Sequence, residues 1–145
     1  MTDTDDRVLP AAVADMVAMN PTSLLQRMGI EILDARPDRI EARMPVEGNT
    51  QPYGLLHGGA SVVLAETLGS IGSALHAGPD RIAVGVDINA THHRAARDGW
   101  VTGVATPVTL GSTLCCWEVV VSDERGRRVC TSRITCLLRD RPPGA

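Results

Sequence analysis

Lysine is absent from the chain, so all fourteen basic residues are arginines. Without a lysine amine the chain can form no Schiff base and carry no P-loop, since both depend on that side chain. Basic residues form no long run, and the formal net charge is −3. Because nucleic acid binding needs a clustered cationic surface, we expect no nucleic acid partner.

Aromatic residues are also scarce, with two Trp, one Tyr and no Phe among 145 residues. A core must therefore be built from Val, Leu, Ile, Ala and Met. With 43% hydrophobic and 21% charged residues, the composition is that of a soluble globular protein. This length fits one domain. We place it at residues 11–139, between a disordered N-terminus (1–10) and a loose tail (140–145).

Long apolar runs are missing: none reaches the roughly 20 residues that span a membrane. The N-terminus is acidic and polar, unlike a signal peptide. We therefore expect a cytoplasmic protein with no membrane partner. The cysteines lack CxxC spacing, which fits reduced, buried thiols. They are Cys115, Cys116, Cys130 and Cys136. Neither they nor the four histidines show ligand spacing, so no metal site is predicted.

Two periodicities divide the chain into elements. Helical spacing is expected at 11–19, 21–28 and 58–77, with Asn20 capping the second helix and Gly29 stopping it. Alternating patterns predict strands at 30–36, 39–44, 82–92, 100–108, 113–122 and 128–138. Strands and helices do not alternate, which argues against a doubly wound parallel sheet. The simplest packing is an α+β fold, a curled antiparallel sheet of about five to six strands around one long central helix.

The long helix carries an apolar stripe beside a polar one. The apolar stripe consists of Leu64, Leu68, Ile71 and Leu75. The polar stripe consists of Glu66, Ser70 and Ser73. Gly69 and Gly72 lie between them, and each glycine inside a helix costs about 1 kcal/mol relative to alanine. We therefore expect this helix to be buried, with other backbone approaching it closely.

Several residues suited to catalysis lie where the preceding loop ends and this helix begins. Gly58 and Gly59 stand at its start, where N–H groups lack internal partners and the helix dipole is positive. Such donors can stabilise an oxygen that gains negative charge in a transition state. A carboxylate such as Glu66 on a largely apolar helix is costly unless it is paired or functional. The alternatives are a solvated surface Glu66, a His57 that only caps the helix, and an ordinary tight glycine turn.

One geometric difficulty concerns His57 and Glu66. Nine positions at about 100° each place them on opposite sides of an ideal helix. They can converge if His57 lies in the preceding loop, or if each faces a site shared with a second subunit.

Residues 51–66 read QPYGLLHGGASVVLAE. This stretch resembles the signature of the hotdog-fold thioesterases, and within them the phenylacetate-pathway-type (PaaI-like) branch. It is most similar to 1,4-dihydroxy-2-naphthoyl-CoA hydrolases and aryl-carrier-protein proofreading thioesterases. The similarity continues through 84–92 and 110–112 into the final hairpin, and covers roughly residues 25–138. A lone HGG is weak, whereas this long run with a correctly spaced Glu is specific.

The resemblance implies four catalytic residues. Glu66 matches the carboxylate that attacks the thioester carbonyl or activates water. The Gly58 N–H matches the group that polarises the carbonyl. His57 matches a residue supporting the thioester and its leaving group, and Gln51 one that orients the carbonyl or the water.

Four further residues match substrate-binding positions of the family. They are Gly59, Ser70, His92 and Ser112. Ser70 would hold the water or the carboxylate, and Ser112, which a plain turn explains equally well, would contact pantetheine or phosphate. His92 ends an alternating apolar face and is expected to point inward, either as a pocket histidine or as a satisfied core residue.

The implied reaction is hydrolysis of an acyl-CoA thioester, most often an aroyl-CoA, with no metal or redox cofactor. Coenzyme A enters only as part of the substrate. The implied assembly is a homodimer with active sites at its interface, or a dimer of dimers, a homotetramer. An acyl-carrier-protein thioester is the other candidate partner. The acyl group, the thiol, and covalent or water attack stay open. Candidates for binding CoA phosphates are Arg94, Arg97, Arg125, Arg127, Arg128 and Arg133.

Two rival functions fit the same residues. A hotdog dehydratase acting on hydroxyacyl thioesters also uses a histidine with an acidic residue. A non-catalytic acyl-CoA-binding domain would keep the pocket without turnover. A serine nucleophile is not expected, because the chain has no GxSxG motif.

Overall fold

The computed structural model describes residues 7–144, so residues 1–6 of the predicted disordered N-terminus (1–10) and residue 145 of the tail lie outside the described residues. Three helices and six strands follow in the order α1 (Ala11–Ala18), α2 (Leu24–Arg27), β1 (Glu31–Arg36), β2 (Arg39–Pro45), α3 (Gly58–Ala77), β3 (Arg81–His92), β4 (Trp100–Leu110), β5 (Leu114–Asp123) and β6 (Arg128–Asp140). No helix among the described residues is both long and apolar enough to cross a membrane.

The six strands form one antiparallel sheet in the order β1-β2-β4-β5-β6-β3. After β2 the chain passes through α3 to the far edge, where β3 pairs with β6. The sheet lies against α3, which contacts all six strands. The predicted antiparallel sheet around one long helix is confirmed.

Close packing of α3 depends on its glycines. A Cβ added at Gly69 would collide with Ile134, and one at Gly72 would lie 2.5 Å from Trp117 Cζ2. Trp117 and Ile134 are fully buried in the core. The expected burial of this helix is confirmed, but the groups that approach its glycines are side chains of β5 and β6 rather than the backbone that the sequence predicts.

The three residues of the polar stripe of α3 differ in their exposure to solvent. Ser73 was expected beside Glu66, yet it is buried, and its Oγ accepts a hydrogen bond of 3.0 Å from Trp117 Nε1. A buried indole N–H needs such a partner. Ser73 therefore satisfies the core tryptophan, and only Glu66 and Ser70 of the predicted stripe reach an open surface.

The second helix is shorter than predicted. It begins at Leu24, because the Ser23 hydroxyl caps it by accepting from Gln26 N–H, and it ends at Arg27. Asn20, the predicted cap, instead accepts from Thr22 N–H and holds a turn. Gly29 follows with a φ of 70°, the left-handed conformation that a helix stop requires.

Strand β3 is an edge strand along twelve residues. Its register against β6 shifts between Gly85 and Asp87, which marks a β-bulge. Val84 and Val86 are 41% and 55% exposed. Two residues of the alternation expected to be buried, Val84 and Val86, are therefore open to solvent in the single chain, whereas Ile88 and Ala90 of the same alternation pack against the core.

The cysteines of the sheet are free thiols. Burial raises the pKa of the Cys115 thiol above its ordinary value, against weaker opposing hydrogen bonds from Ser73 and Gly111. Burial likewise raises the pKa of Cys130. Both thiols therefore stay protonated at neutral pH. The predicted burial holds for Cys115, Cys130 and Cys136, whereas Cys116 is half-buried.

The segment before α1 is held on the first strand by a buried carboxylate. Asp34 is 1% exposed and accepts from Val8 N–H at 2.8 Å, while Arg36 and Arg39 pair with it at 3.1 and 3.3 Å. Burial raises the pKa of Asp34, but the Val8 hydrogen bond and the two guanidinium groups outweigh it and hold the pKa below the ordinary 3.8. The ionised form is therefore the one that stabilises the fold.

Asp34→Asn is expected to lower the free energy of unfolding at pH 7 by about 1–2 kcal/mol, because the two guanidinium groups lose their negatively charged partner. A lowered carboxyl pKa contributes stability that is present above pH 3.8 and is lost as the pH falls through the folded-state value. Denaturant titrations at neutral and acidic pH should therefore show a smaller acid loss in the variant. Asp140→Asn, at a carboxylate 97% exposed, is the matched control. An unchanged acid dependence in Asp34→Asn would refute this assignment.

Candidate active site

His57 forms the N-cap of α3. Its φ and ψ are −66° and 131°, and its Nδ1 accepts a hydrogen bond of 2.8 Å from Gly59 N–H. A backbone N–H can only donate, so Nδ1 is unprotonated and a neutral ring carries its proton on Nε2. The ring is exposed at the mouth of the helix. His57 therefore caps the helix through Nδ1, and its Nε2–H can still donate to a ligand.

Gly58 is the first residue of α3. Within residues 7–144 its N–H has no hydrogen-bond partner, as expected at the first position of a helix. A Cβ added here would lie 2.9 Å from His92 Nε2, so the His92 ring covers the Gly58 Cα. The fold therefore presents an unpaired donor at the positive end of a 20-residue helix, beside an imidazole.

Three predicted site residues line one cleft of about 400 Å³, which we call the Gly58 cleft: Gln51, Gly58 and His92. Gln51 Oε1 accepts from Tyr53 N–H, which leaves the side-chain NH₂ as a donor. His92 is exposed, yet its ring lies against Gly58 at the start of α3. The cleft thus gathers N–H donors and a histidine, and none of its lining residues is a carboxylate.

Glu66 and Ser70 line a different cleft, the Glu66 cleft, of about 520 Å³. Its other walls come from α1, α2 and the segment between them, and from α3. Glu66 is exposed, and its Oε1 lies 2.9 Å from where a Cβ would stand on Gly85. Gly85, at the bulge of β3, was missed as a site residue. A glycine inside a strand pattern is the signal that could have revealed it.

One chain cannot bring both groups to a single carbonyl. Glu66 follows Gly58 by eight positions, about 12 Å along an α-helix. The Gly58 N–H also points along the helix axis away from Glu66. A carbonyl oxygen bound at that N–H is therefore out of reach of the same chain's Glu66 carboxylate.

Two predicted residues lie apart from both clefts. The Gly59 N–H is engaged by His57. Ser112 lies in the turn between β4 and β5, and its carbonyl accepts from Arg81 at 2.8 Å. The same turn meets His76 near the C-terminal end of α3, where His76 Nε2 is 2.8 Å from the Gly111 carbonyl. Within one chain, Ser112 is therefore at the opposite end of the helix from Gly58.

One long helix packed against a six-stranded antiparallel sheet is the fold of the hotdog thioesterases among the solved structures. A family model described as the thioesterase superfamily matches residues 53–130. The chain is 50% identical over 122 residues to the proofreading thioesterase EntH of Cronobacter turicensis, covering 81% of this chain and 89% of that protein.

Solved structures agree with that assignment. A thioesterase of Haemophilus influenzae superposes with a TM-score of 0.84 and 38% identity, covering 92% of this chain and 93% of the other. A mutant thioesterase of Pseudomonas aeruginosa gives a TM-score of 0.83 and 35% identity, covering 93% and 98%. The chain belongs to the thioesterase superfamily. It has the hotdog fold and is a thioester hydrolase.

Proposed function

We propose that the chain hydrolyses an acyl-CoA thioester, with an aroyl group as the first candidate, in the cytoplasm. Glu66 would attack the carbonyl or activate water, and the Gly58 N–H would polarise the carbonyl oxygen. The observation that carries this proposal is the unpaired Gly58 N–H, which opens into a cleft beside Gln51 and His92. The free cysteines support a reducing compartment.

The proposed chemistry needs only the chain's own groups and water. Water adds its oxygen to the carbonyl carbon, the C–S bond breaks, and the products are a carboxylic acid and a thiol. If Glu66 acts as a base, it takes a proton from water and passes it to the leaving thiolate. If Glu66 is the nucleophile, it forms an anhydride that water then opens. In either route charge develops on the oxygen at Gly58 N–H.

The proposed site lies between two chains paired along β3. This long edge strand has one unpaired side and exposed Val84 and Val86, which is a surface that pairs readily with another strand. The Glu66 carboxylate of α3 lies against Gly85 of β3, so a partner chain paired along this edge would come close to the carboxylate. Each site would combine Glu66 of one subunit with Gly58, His57 and Gln51 of the other. A homodimer contains two such sites, and a dimer of dimers four.

The Glu66 cleft is the proposed place for the acyl group. Its walls near Glu66 include Met16, Leu24, Val63 and Ile71, so an aryl or aliphatic group would bury apolar surface there. A thiol-release assay over aryl- and alkyl-CoA thioesters tests this. Benzoyl-CoA is expected to be turned over, and release from no thioester in the panel would refute the proposed function.

Mixing two inactive variants tests the shared site. Glu66→Gln lacks the carboxylate, and Gly58→Pro lacks the N–H. If each site takes one group from each chain, a mixed dimer holds one doubly damaged site and one intact site. Random exchange should then restore about a quarter of wild-type activity per chain. Thiol release from benzoyl-CoA before and after subunit exchange measures it.

As a control, each variant is taken through the same exchange procedure by itself. This shows whether the procedure alone restores activity. Sedimentation of the wild-type chain gives the dimer or tetramer. A mixture that stays inactive although the subunits exchange would place both groups in one subunit, contrary to the proposal.

A further inference from the structure

A further cleft, of about 420 Å³, lies between α1 and the C-terminal half of α3. We call it the α1 cleft. Its apolar walls include Ala12, Val13, Met16, Ile71, Ala74 and Leu75. Its charged lining residues are Asp15, Arg81 and Arg141, and the two arginines lie beyond the C-terminal end of α3. The part of this cleft nearer to Glu66 is therefore apolar and suits a hydrocarbon group.

The α1 cleft adjoins the Glu66 cleft. Among the described residues, Met16 of α1 and Ile71 of α3 line both clefts. Ile71 is 4% exposed and belongs to the core, so its position is fixed. Met16 is 41% exposed, and a methionine side chain has three rotatable bonds. The Met16 side chain is therefore the movable part of the partition between the two clefts.

Helix α1, which carries Met16, has little buried surface. Of its eight residues only Val13 is buried. A side-chain hydrogen bond reaches it from α2, where Gln26 Nε2 donates to the Val17 carbonyl at 3.1 Å. Rotation of Met16 away from α3 therefore leaves the anchoring contacts of α1 in place.

The two clefts follow one another along α3. Ile71 is five positions after Glu66, about 7.5 Å along the helix, and Leu75 is nine positions after it, about 13.5 Å. An extended chain advances about 1.2 Å per bond. A straight acyl chain that starts beside Glu66 would therefore pass Ile71 after about six carbons and reach Leu75 after about eleven.

We propose that the α1 cleft is a subsite for the distal methylenes of a straight-chain acyl group of about eight to twelve carbons. The chain enters the subsite past Met16. This inference rests on the proposed function, because it places the acyl group in the Glu66 cleft. A benzoyl group is too short to pass Ile71 and stays within the Glu66 cleft. The same enzyme would thus accept an aryl group in one cleft and a longer alkyl chain across both.

The test is the ratio of kcat/KM for dodecanoyl-CoA to kcat/KM for hexanoyl-CoA, measured by thiol release below the concentration at which the substrates form micelles. Each buried methylene strengthens binding about fourfold, so two of them in the α1 cleft already give a wild-type ratio above about ten. Both values come from one preparation of each variant. Partial unfolding of a variant lowers both and leaves their ratio unchanged.

Ala74→Phe is expected to lower this ratio to about one, because the ring fills the α1 cleft. Ala74 is half-buried on α3 and lines the α1 cleft but not the Glu66 cleft. Ala14→Phe is the matched control, since Ala14 is an exposed alanine of α1 that lines neither cleft. Its ratio should equal that of the wild type.

Met16→Ala is expected to raise the ratio about two- to tenfold, because the chain no longer displaces and immobilises a flexible side chain. An unchanged or lower ratio in Met16→Ala would overturn the passage at Met16.

A wild-type ratio near one would overturn the subsite. An unchanged ratio in Ala74→Phe would do so as well, because the distal methylenes would then lie elsewhere, and so would an equal fall in Ala14→Phe. Failure of the wild type to hydrolyse both benzoyl-CoA and hexanoyl-CoA is a separate result, which would refute the proposed function itself.

Discussion

Replacing Glu66 by Gln is expected to reduce kcat about 10²- to 10⁴-fold, the range for loss of a general base or nucleophile. Glu66→Gln keeps the shape of the side chain and removes its charge and its basicity. Glu66 is exposed and has no hydrogen-bond or ion-pair partner within residues 7–144, so the free energy of unfolding should change by less than about 0.5 kcal/mol. Steady-state thiol release and a denaturant titration measure the two quantities.

Glu47→Gln is the matched control for this result. Glu47 is an exposed glutamate in the loop after β2 that lines neither the Gly58 cleft nor the Glu66 cleft. Its kcat should equal that of the wild type. Near wild-type turnover by Glu66→Gln would remove Glu66 from the chemistry, whatever the position of its carboxylate.

A single turnover in H₂¹⁸O, with enzyme in excess, detects a Glu66 anhydride that water opens at the Glu66 carbonyl. Direct attack of activated water places the label in the product acid, as does opening of the anhydride at the substrate carbonyl. A Glu66 anhydride that is opened at its protein carbonyl leaves the label on Glu66 and an unlabelled oxygen in the product. Mass spectrometry of the peptide containing Glu66 reads the outcome.

Gly58→Pro is expected to lower kcat about 10²- to 10³-fold relative to Gly58→Ala, the cost of removing one oxyanion donor. Proline deletes the N–H, and it is favoured at the first position of a helix. His57 already has an extended conformation, with φ −66° and ψ 131°, which suits a residue before proline. The helix should therefore tolerate this change.

Gly58→Ala is the control because it adds the same Cβ next to His92 but keeps the N–H. The exposed His92 ring can shift to accommodate a methyl group, so the two variants share the crowding and differ in the donor. Circular dichroism and melting temperatures check that both fold. Equal kcat values for the two variants would mean that the Gly58 N–H does not stabilise the transition state.

Much of the fold could be predicted because its signals are local. The long helix begins and ends where predicted, since His57 caps it and Gly78 stops it with a φ of 81°. The strands follow from alternation and from the turns between them. The second helix was predicted too long, because Asn20 and Ser23 both suit a cap and only the folded turn selects Ser23.

The candidate site was predictable only in part. The positions of His57, Gly58 and Gly59 follow from adjacency at one helix start. By contrast, His92 reaches Gly58 only because β3 crosses to the far edge of the sheet, and Gly85 meets Glu66 through a bulge. The burial of Ser73 depends on Trp117, which lies 44 positions away in the chain. Spacing rules along one element carry no information about such contacts.

The sequence by itself determined the elements, the small-residue helix and the set of chemical groups, because each depends on residues within a few positions of one another. Only the tertiary structure decided that the donors and the carboxylate open into separate clefts. The reason is that strand order and register bring together residues that are distant in the chain. The rigid spacing of one α-helix, in turn, keeps Gly58 and Glu66 of a single chain apart.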